Sequence, residues 1–218
     1  MTRTTRVTTA LLAVSLSVLL AACGSDSSST TEGSASTSKA AAASNSAPDG
    51  TPAAGPHNAA DVMFATMMIP HHAQAVEMSR LLLDKDGVDP DVMALAEQIA
   101  AAQGPEIEQM RGWLAGWGSP VPESDGSMMG NDMGGMDHGL GTMAGTMSDE
   151  EMAKLESADG ADGSRLFLQQ MTAHHEGAVA MAKDELATGE NADAKALATA
   201  IISAQETEIT TMADLLAG

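Results

Sequence analysis

The sequence predicts an all-α protein, an antiparallel four-helix bundle built from two copies of one helical hairpin. Three observations carry this: an internal repeat, a helical rhythm of apolar residues in both copies, and cap or turn residues where that rhythm stops. Asp61 to Gly118 lies over Ser164 to Gly218. Met68-Ile69-Pro70-His71-His72-Ala73-Gln74-Ala75-Val76-Glu77-Met78 matches Met171-Thr172-Ala173-His174-His175-Glu176-Gly177-Ala178-Val179-Ala180-Met181, and Phe64 falls on Phe167 in the same register. After a one-residue adjustment in the connecting loop, Leu95, Ile99, Gln103, Glu106, Ile107, Met110 and Leu114 fall on Leu197, Ile201, Gln205, Glu208, Ile209, Met212 and Leu216.

In chain order, Arg3 and Arg6 precede an apolar stretch, Val7 to Ala22, that stops at Leu20-Ala21-Ala22-Cys23. This run is short for a membrane span and carries small residues before the cysteine, the form of a bacterial lipobox. Residues 1–22 are therefore expected to be a lipoprotein signal peptide, with Cys23 as the lipidated residue on the extracytoplasmic face of the cell membrane. Cys23 is the sole cysteine, so no disulfide within the chain is expected. Residues 23–57, mostly Ser, Thr, Ala, Gly and Pro, hold too little apolar surface to offset chain entropy and read as a disordered tether. The bundle is expected over 58–218: a first hairpin at about 58–118, a Met/Gly-rich loop at about 119–147 and a second hairpin at about 162–218.

Within each hairpin the residues Leu95, Ile99, Met110 and Leu114, and their counterparts, keep the three-to-four spacing of one buried helix face. Asp89-Pro90 suits an N-cap followed by a first-turn proline, Gly189 a C-terminal cap and Asn191 the cap of the last helix. Ser148 and Glu151 have capping-box spacing and predict a short extra helix. Pro70 and Pro105 have no proline counterparts in the second copy and are expected to kink or break their helices, which makes the halves unequal.

Composition bounds the partners. Losing Arg3 and Arg6 with the leader takes Lys and Arg from 10 to 8 against 30 Asp and Glu, a formal charge of −22. Nucleic acid and anionic lipid are poor partners for such a surface, so the expected contact with membrane is the anchor alone. The acidity serves solubility, and it also concentrates cations. The chain has 17 Met but two Phe, two Trp and no Tyr, so thioethers supply much of its polarizable bulk.

The placement of these side chains suggests ligands. Phe64, Met67, Met68, His71, Ala75, Met78 and Leu82 share one helix face with His72 beside it, and Phe167, Met171, His174, Ala178 and Met181 repeat the arrangement. Buried histidines can be core residues satisfied by hydrogen bonds. Two His-His pairs at matched positions, each flanked by Met, favour metal ligation by His71, His72, His174, His175, Met68, Met78, Met171 and Met181. Thioether suits Cu(I), and imidazole accepts copper in either oxidation state as well as zinc, so copper, chiefly Cu(I), is the expected cofactor, with no organic one. No Glu-x-x-His, His-Glu-x-x-His or Cys-x-x-Cys spacing occurs. Gln103 with Glu106, and Gln205 with Glu208, are either partners that orient the imidazoles or hydrogen-bonding groups across the bundle.

Between the hairpins, Met128, Met129, Met133, Met136, Met143 and Met147 fall in one glycine-rich segment with His138. Glycine content argues against packing them in a core. They form a second expected metal site or a loop with chance methionines. No serine lies in a nucleophile-elbow context and there is no phosphate-binding glycine loop, so no catalytic residue is assigned.

Met-x-x-His-His-x-x-Ala-Val-x-Met followed by Gln-x-x-Glu-Ile-x-x-Met resembles the DUF305 family in both halves, over most of Asp61 to Gly218. The resemblance implies a ferritin-like helical bundle, export and copper handling. By position it points to Met68, His71, His72, Met78 and Gln103 to Glu106, and to Met171, His174, His175, Met181 and Gln205 to Glu208. Pro105 departs from the second-helix pattern. The expected role is copper sequestration, tolerance or transfer, with a copper-handling protein as a possible partner. A ferritin-like metal-dependent redox enzyme and a structural or interaction module without metal remain as alternatives.

Overall fold

The computed structural model describes residues 55–122 and 143–218, and these residues form five helices and no strand. The helices are α1 (Ala59–Leu83), α2 (Pro90–Gly116), α3 (Asp149–Ser157), α4 (Gly160–Thr188) and α5 (Ala192–Ala217). The expected leader, Cys23, nearly all of the tether, and the loop positions Met128, Met129, Met133, Met136 and His138 lie outside the described residues. No described helix is long and apolar enough to cross a membrane.

The helices begin where side chains satisfy the free N–H groups of the first turn. Asn58 accepts from the Ala60 and Asp61 N–H groups while the Asp61 carboxylate accepts the Asn58 N–H at 2.6 Å, a capping box. Asp89 caps α2 with Pro90 in its first turn, Ser148 and Glu151 form the predicted box on α3, and Asn191 caps α5. Gly189 ends α4 as expected, but at φ −69° it needs no left-handed freedom. A Cβ at Gly189 would run into the Glu185 carboxyl, so the glycine makes room for a side chain.

Of the kink or break expected at Pro70 and Pro105, a break does not occur: α1 and α2 each run through their proline. A helix-interior proline costs about 3 kcal/mol through a lost hydrogen bond and a steric clash. Buried residues on both sides of each proline, Ile69 and His71 in α1 and Gln103 and Ile107 in α2, pack the helix from either flank and offset that cost.

The hairpins α1/α2 and α4/α5 meet chiefly through α1 and α4. Phe64, Met68 and Ile69, early in α1, share an apolar cluster with Ala178 and Ala182, late in α4. Ala75, Met78 and Leu82, late in α1, share a second with Phe167, Leu168 and Met171, early in α4. The two helices are therefore antiparallel, and the histidines of both lie between the two apolar clusters.

The two ends of this arrangement are chemically unequal. At one end Asp61 also accepts the Glu190 and Asn191 N–H groups, tying the start of α1 to the turn before α5. At the other, the equivalent Ser164 hydroxyl accepts the Asp89 N–H at 3.2 Å. Burial opposes the Asp61 charge, but the hydrogen bonds from the Asn58 and Asn191 backbone, the Glu185 side chain and the Glu190 backbone overcome it and hold its carboxyl below the usual range. Glu185 is 2 % exposed and lies against the Asp61 carboxylate. Burial first, and then the neighbouring Asp61, push the Glu185 carboxyl up to about 8.

This predicts a pH dependence of known sign. Glu185 holds a proton in the folded state that the unfolded chain releases near 4.5, so its contribution declines as pH rises from there to about 8. His71 and His174, with lowered pKa values, act oppositely but only below the ordinary histidine value of 6.5. Urea unfolding should show stability falling between about pH 6.5 and about pH 8, and Glu185→Gln should flatten that interval. An unchanged slope in the variant would assign the effect elsewhere.

Candidate metal centre

His71, His72, His174 and His175 are fully buried, each set by its position between the two apolar clusters of the bundle. The sequence offers two pairs, one per copy; the fold joins them. The His71 and His174 rings meet with centroids 3.8 Å apart and planes at 43°. His174 and His175 lie 6.4 Å apart, tilted by 55°.

Acceptors from other elements hold one edge of three of these rings. His72 Nε2 lies 2.7 Å from Glu106 Oε2 on α2, and His175 Nε2 lies 2.7 Å from Glu208 Oε2 on α5. Glu208 also accepts from Gln98 at 3.4 Å, across α2 and α5. His71 Nε2 lies 3.2 Å from the Ala144 carbonyl. A carboxylate or carbonyl oxygen only accepts, so each of these Nε2 atoms carries the hydrogen. In the neutral ring the lone pair is then on Nδ1. The Nδ1 atoms of all four histidines, and Nε2 of His174, are buried with no hydrogen-bond partner among the described residues.

Electrostatics keep the central pair neutral. Burial, and then the adjacent His72, push His71 down to about 3, with His175 adding to the effect against the Ala144 hydrogen bond. Burial, followed by the surrounding His71, His175 and His72, holds His174 well below the usual imidazole range. A neutral imidazole is the form that ligates metals.

Met68, Met78 and Met171 are fully buried and Met181 is half-buried. Met68 and Met181 belong to the apolar cluster on one side of the histidines, and Met78 and Met171 to that on the other; Met147, expected with the loop and outside a core, is buried in this second cluster. Each side thus mixes methionines from both copies. Met143 is half-buried at the start of the described part of the connection. Among the described residues no three His, Cys, Asp or Glu side chains converge as a ready-made metal site. Gln103 and Gln205 are buried with Oε1 unpartnered, so only the glutamate of each predicted pair bonds an imidazole.

The family model for the domain of unknown function DUF305 matches residues 61–216. The chain belongs to the DUF305 family. It is similar to a DUF305 protein from Streptomyces coelicolor, at 41 % identity over 72 % of this chain and 92 % of that one, with a TM-score of 0.62. A DUF305 fragment from Deinococcus radiodurans matches at 30 % identity over 75 % and 99 %, also at 0.62. CopM in its Cu(II)-bound form matches at 33 % identity over 72 % and 95 %, at 0.56. CopM has also been solved bound to Cu(I) and to silver. No curated protein matches the chain.

Sequence reasoning missed what lies over the centre of this DUF305 bundle: Ala144, Gly145, Gln74 and Gly177. One signal was available, since Gln74 and Gly177 occupy equivalent positions and differ in size and polarity more than their neighbours require. The Ala144 carbonyl had no signal, because any residue carries one.

The two carboxylate–imidazole contacts should differ in stability. The Glu208 side chain is 8 % exposed and that of Glu106 22 %. Glu208→Ala leaves His175 Nε2 buried without an acceptor and should cost about 1–3 kcal/mol in chemical denaturation. Glu106→Ala should cost less, because water reaches the vacated side. A reversed order would mean that exposure does not govern these contacts.

Proposed function

We propose that this protein binds copper, chiefly as Cu(I), through its buried imidazoles and flanking thioethers, to sequester the metal or pass it on at the outer face of the cell membrane. The observation that carries the reading is the set of four buried imidazoles, each with Nδ1 unpartnered. A buried polar atom without a partner is costly, and a metal ion supplies one. The donor chemistry fits copper, because imidazole takes either oxidation state and thioether favours Cu(I). His71, His72, His174 and His175 are the primary donors, with Met68 and Met181 on one side and Met78 and Met171 on the other. Glu106 and Glu208 orient His72 and His175 and make those rings better donors.

CopM, bound to Cu(I), Cu(II) and silver in its solved forms, supports the choice of metal. The loop donors Met128, Met129, Met133, Met136, His138, Met143 and Met147 are a second site in this reading, and lipidated Cys23 is the anchor. A ferritin-type redox centre is less favoured, because the nearby carboxylates of Glu106 and Glu208 are committed to imidazoles.

Purified protein should compete for Cu(I) with a chromophoric chelator. At metal a hundred times above Kd, its unfolding midpoint should rise by roughly 5–10 °C, more than with zinc or iron. Replacing all four histidines by Ala should remove most of the affinity. Unchanged affinity in that variant and in one lacking residues 123–142 would sink the proposal. Cys23→Ser should abolish incorporation of labelled fatty acid into the protein, and labelling that persists in the variant would refute the anchor.

A further inference from the structure

The described end of the connection between the hairpins, Met143 to Met147, meets α1 and α4 at the level of the histidines, and both helices are adapted to it. Gln74 on α1 grips it twice: its amide nitrogen donates to the Met147 carbonyl at 2.8 Å and its amide oxygen accepts the Met147 N–H at 2.7 Å. A turn just upstream is closed by the Thr146 N–H and hydroxyl, both donating to the Met143 carbonyl. Gly145 adopts φ +81°, and a Cβ there would meet the Ala173 and His174 carbonyls. On α4, a Cβ at Gly177 would run into the Ala144 carbonyl. Gln74 holds this strap down and Gly177 leaves room for it.

The strap makes the two central histidines unequal. His71 gains the Ala144 carbonyl as an Nε2–H acceptor, while both nitrogens of His174 stay unpartnered. Glu106 and Glu208 do for His72 and His175 what a backbone oxygen does for His71. A backbone carbonyl can serve only if its segment is fixed, and the two hydrogen bonds from Gln74 are what fix it.

We propose that Gln74 is a positioning residue for metal binding: it seats the Ala144 carbonyl on His71, so that this imidazole offers Nδ1 to copper. This rests on the copper-binding reading of the cluster. Gln74 touches no metal; it acts through the strap, which also blocks the Nε2 edge of His71.

The test uses purified, histidine-¹⁵N-labelled protein without metal, followed by Cu(I) titration. In the unsubstituted protein, His71 should show a protonated Nε2 and an unprotonated Nδ1. In Gln74→Ala the two nitrogen signals should move toward averaged values, and Cu(I) affinity should fall about tenfold, as for loss of a partner that orients a ligand. Gln74→Glu, which can still accept the Met147 N–H, should recover part of both. Gly177→Ala should reproduce both effects by displacing the strap from the opposite side. Unchanged His71 signals in Gln74→Ala and Gly177→Ala, or altered signals with unchanged affinity, would overturn the role. Absence of copper binding in the unsubstituted protein would defeat the copper reading, whereas the metal-free spectra test the strap independently.

Discussion

The burial of four imidazoles in the middle of the bundle is the constraint on which the rest of the structure depends. An apolar layer lies on each side of them, so no water layer can satisfy their nitrogens, and each ring must be met by protein or by a ligand. The second helix of each hairpin answers with a glutamate, and the connection between hairpins answers with a carbonyl. These partners all take the Nε2 side. What remains is the Nδ1 atom of each ring, buried and without a hydrogen-bond partner among the described residues. The cost of leaving them open is local, and the two apolar clusters, which draw on all four long helices, offset it.

The helices were legible because periodicity and capping are local. Asp89-Pro90, the Ser148 and Glu151 pair and Asn191 act within one turn, and the structure has them as expected. At Pro70 and Pro105 a break does not follow, for the complementary reason. Their cost is local, but what opposes it is tertiary packing, which a window of sequence does not contain. Gly189 was placed correctly for an incomplete reason, since its role depends on a side chain four residues earlier curling back over it.

The centre was legible in part. Repetition marked the two His-His pairs and their glutamates, and the four histidines are fully buried. Repetition could not show that the pairs face each other, because equivalence in sequence does not say whether two copies hold their motifs apart or together. That depends on the antiparallel contact of α1 with α4, which brings His71 to His174 and exchanges methionines across the centre, so that Met68 shares a cluster with Met181 and Met78 with Met171. The motif of one copy is thus completed by the other.

Duplication also explains where symmetry must fail. Two repeated hairpins in one chain need one connection, and a single chain segment cannot treat both copies alike. At the equivalent positions 74 and 177 the sequence has a residue that grips and a residue that yields. At the bundle ends, the Asp61 and Glu185 carboxyls stand where the other end has the Ser164 hydroxyl and Leu82. The prolines, the visible mark of asymmetry in the sequence, leave both helices continuous. Among the described residues, the difference at the central histidines comes from the connection, which gives His71 a carbonyl partner and the His174 ring none.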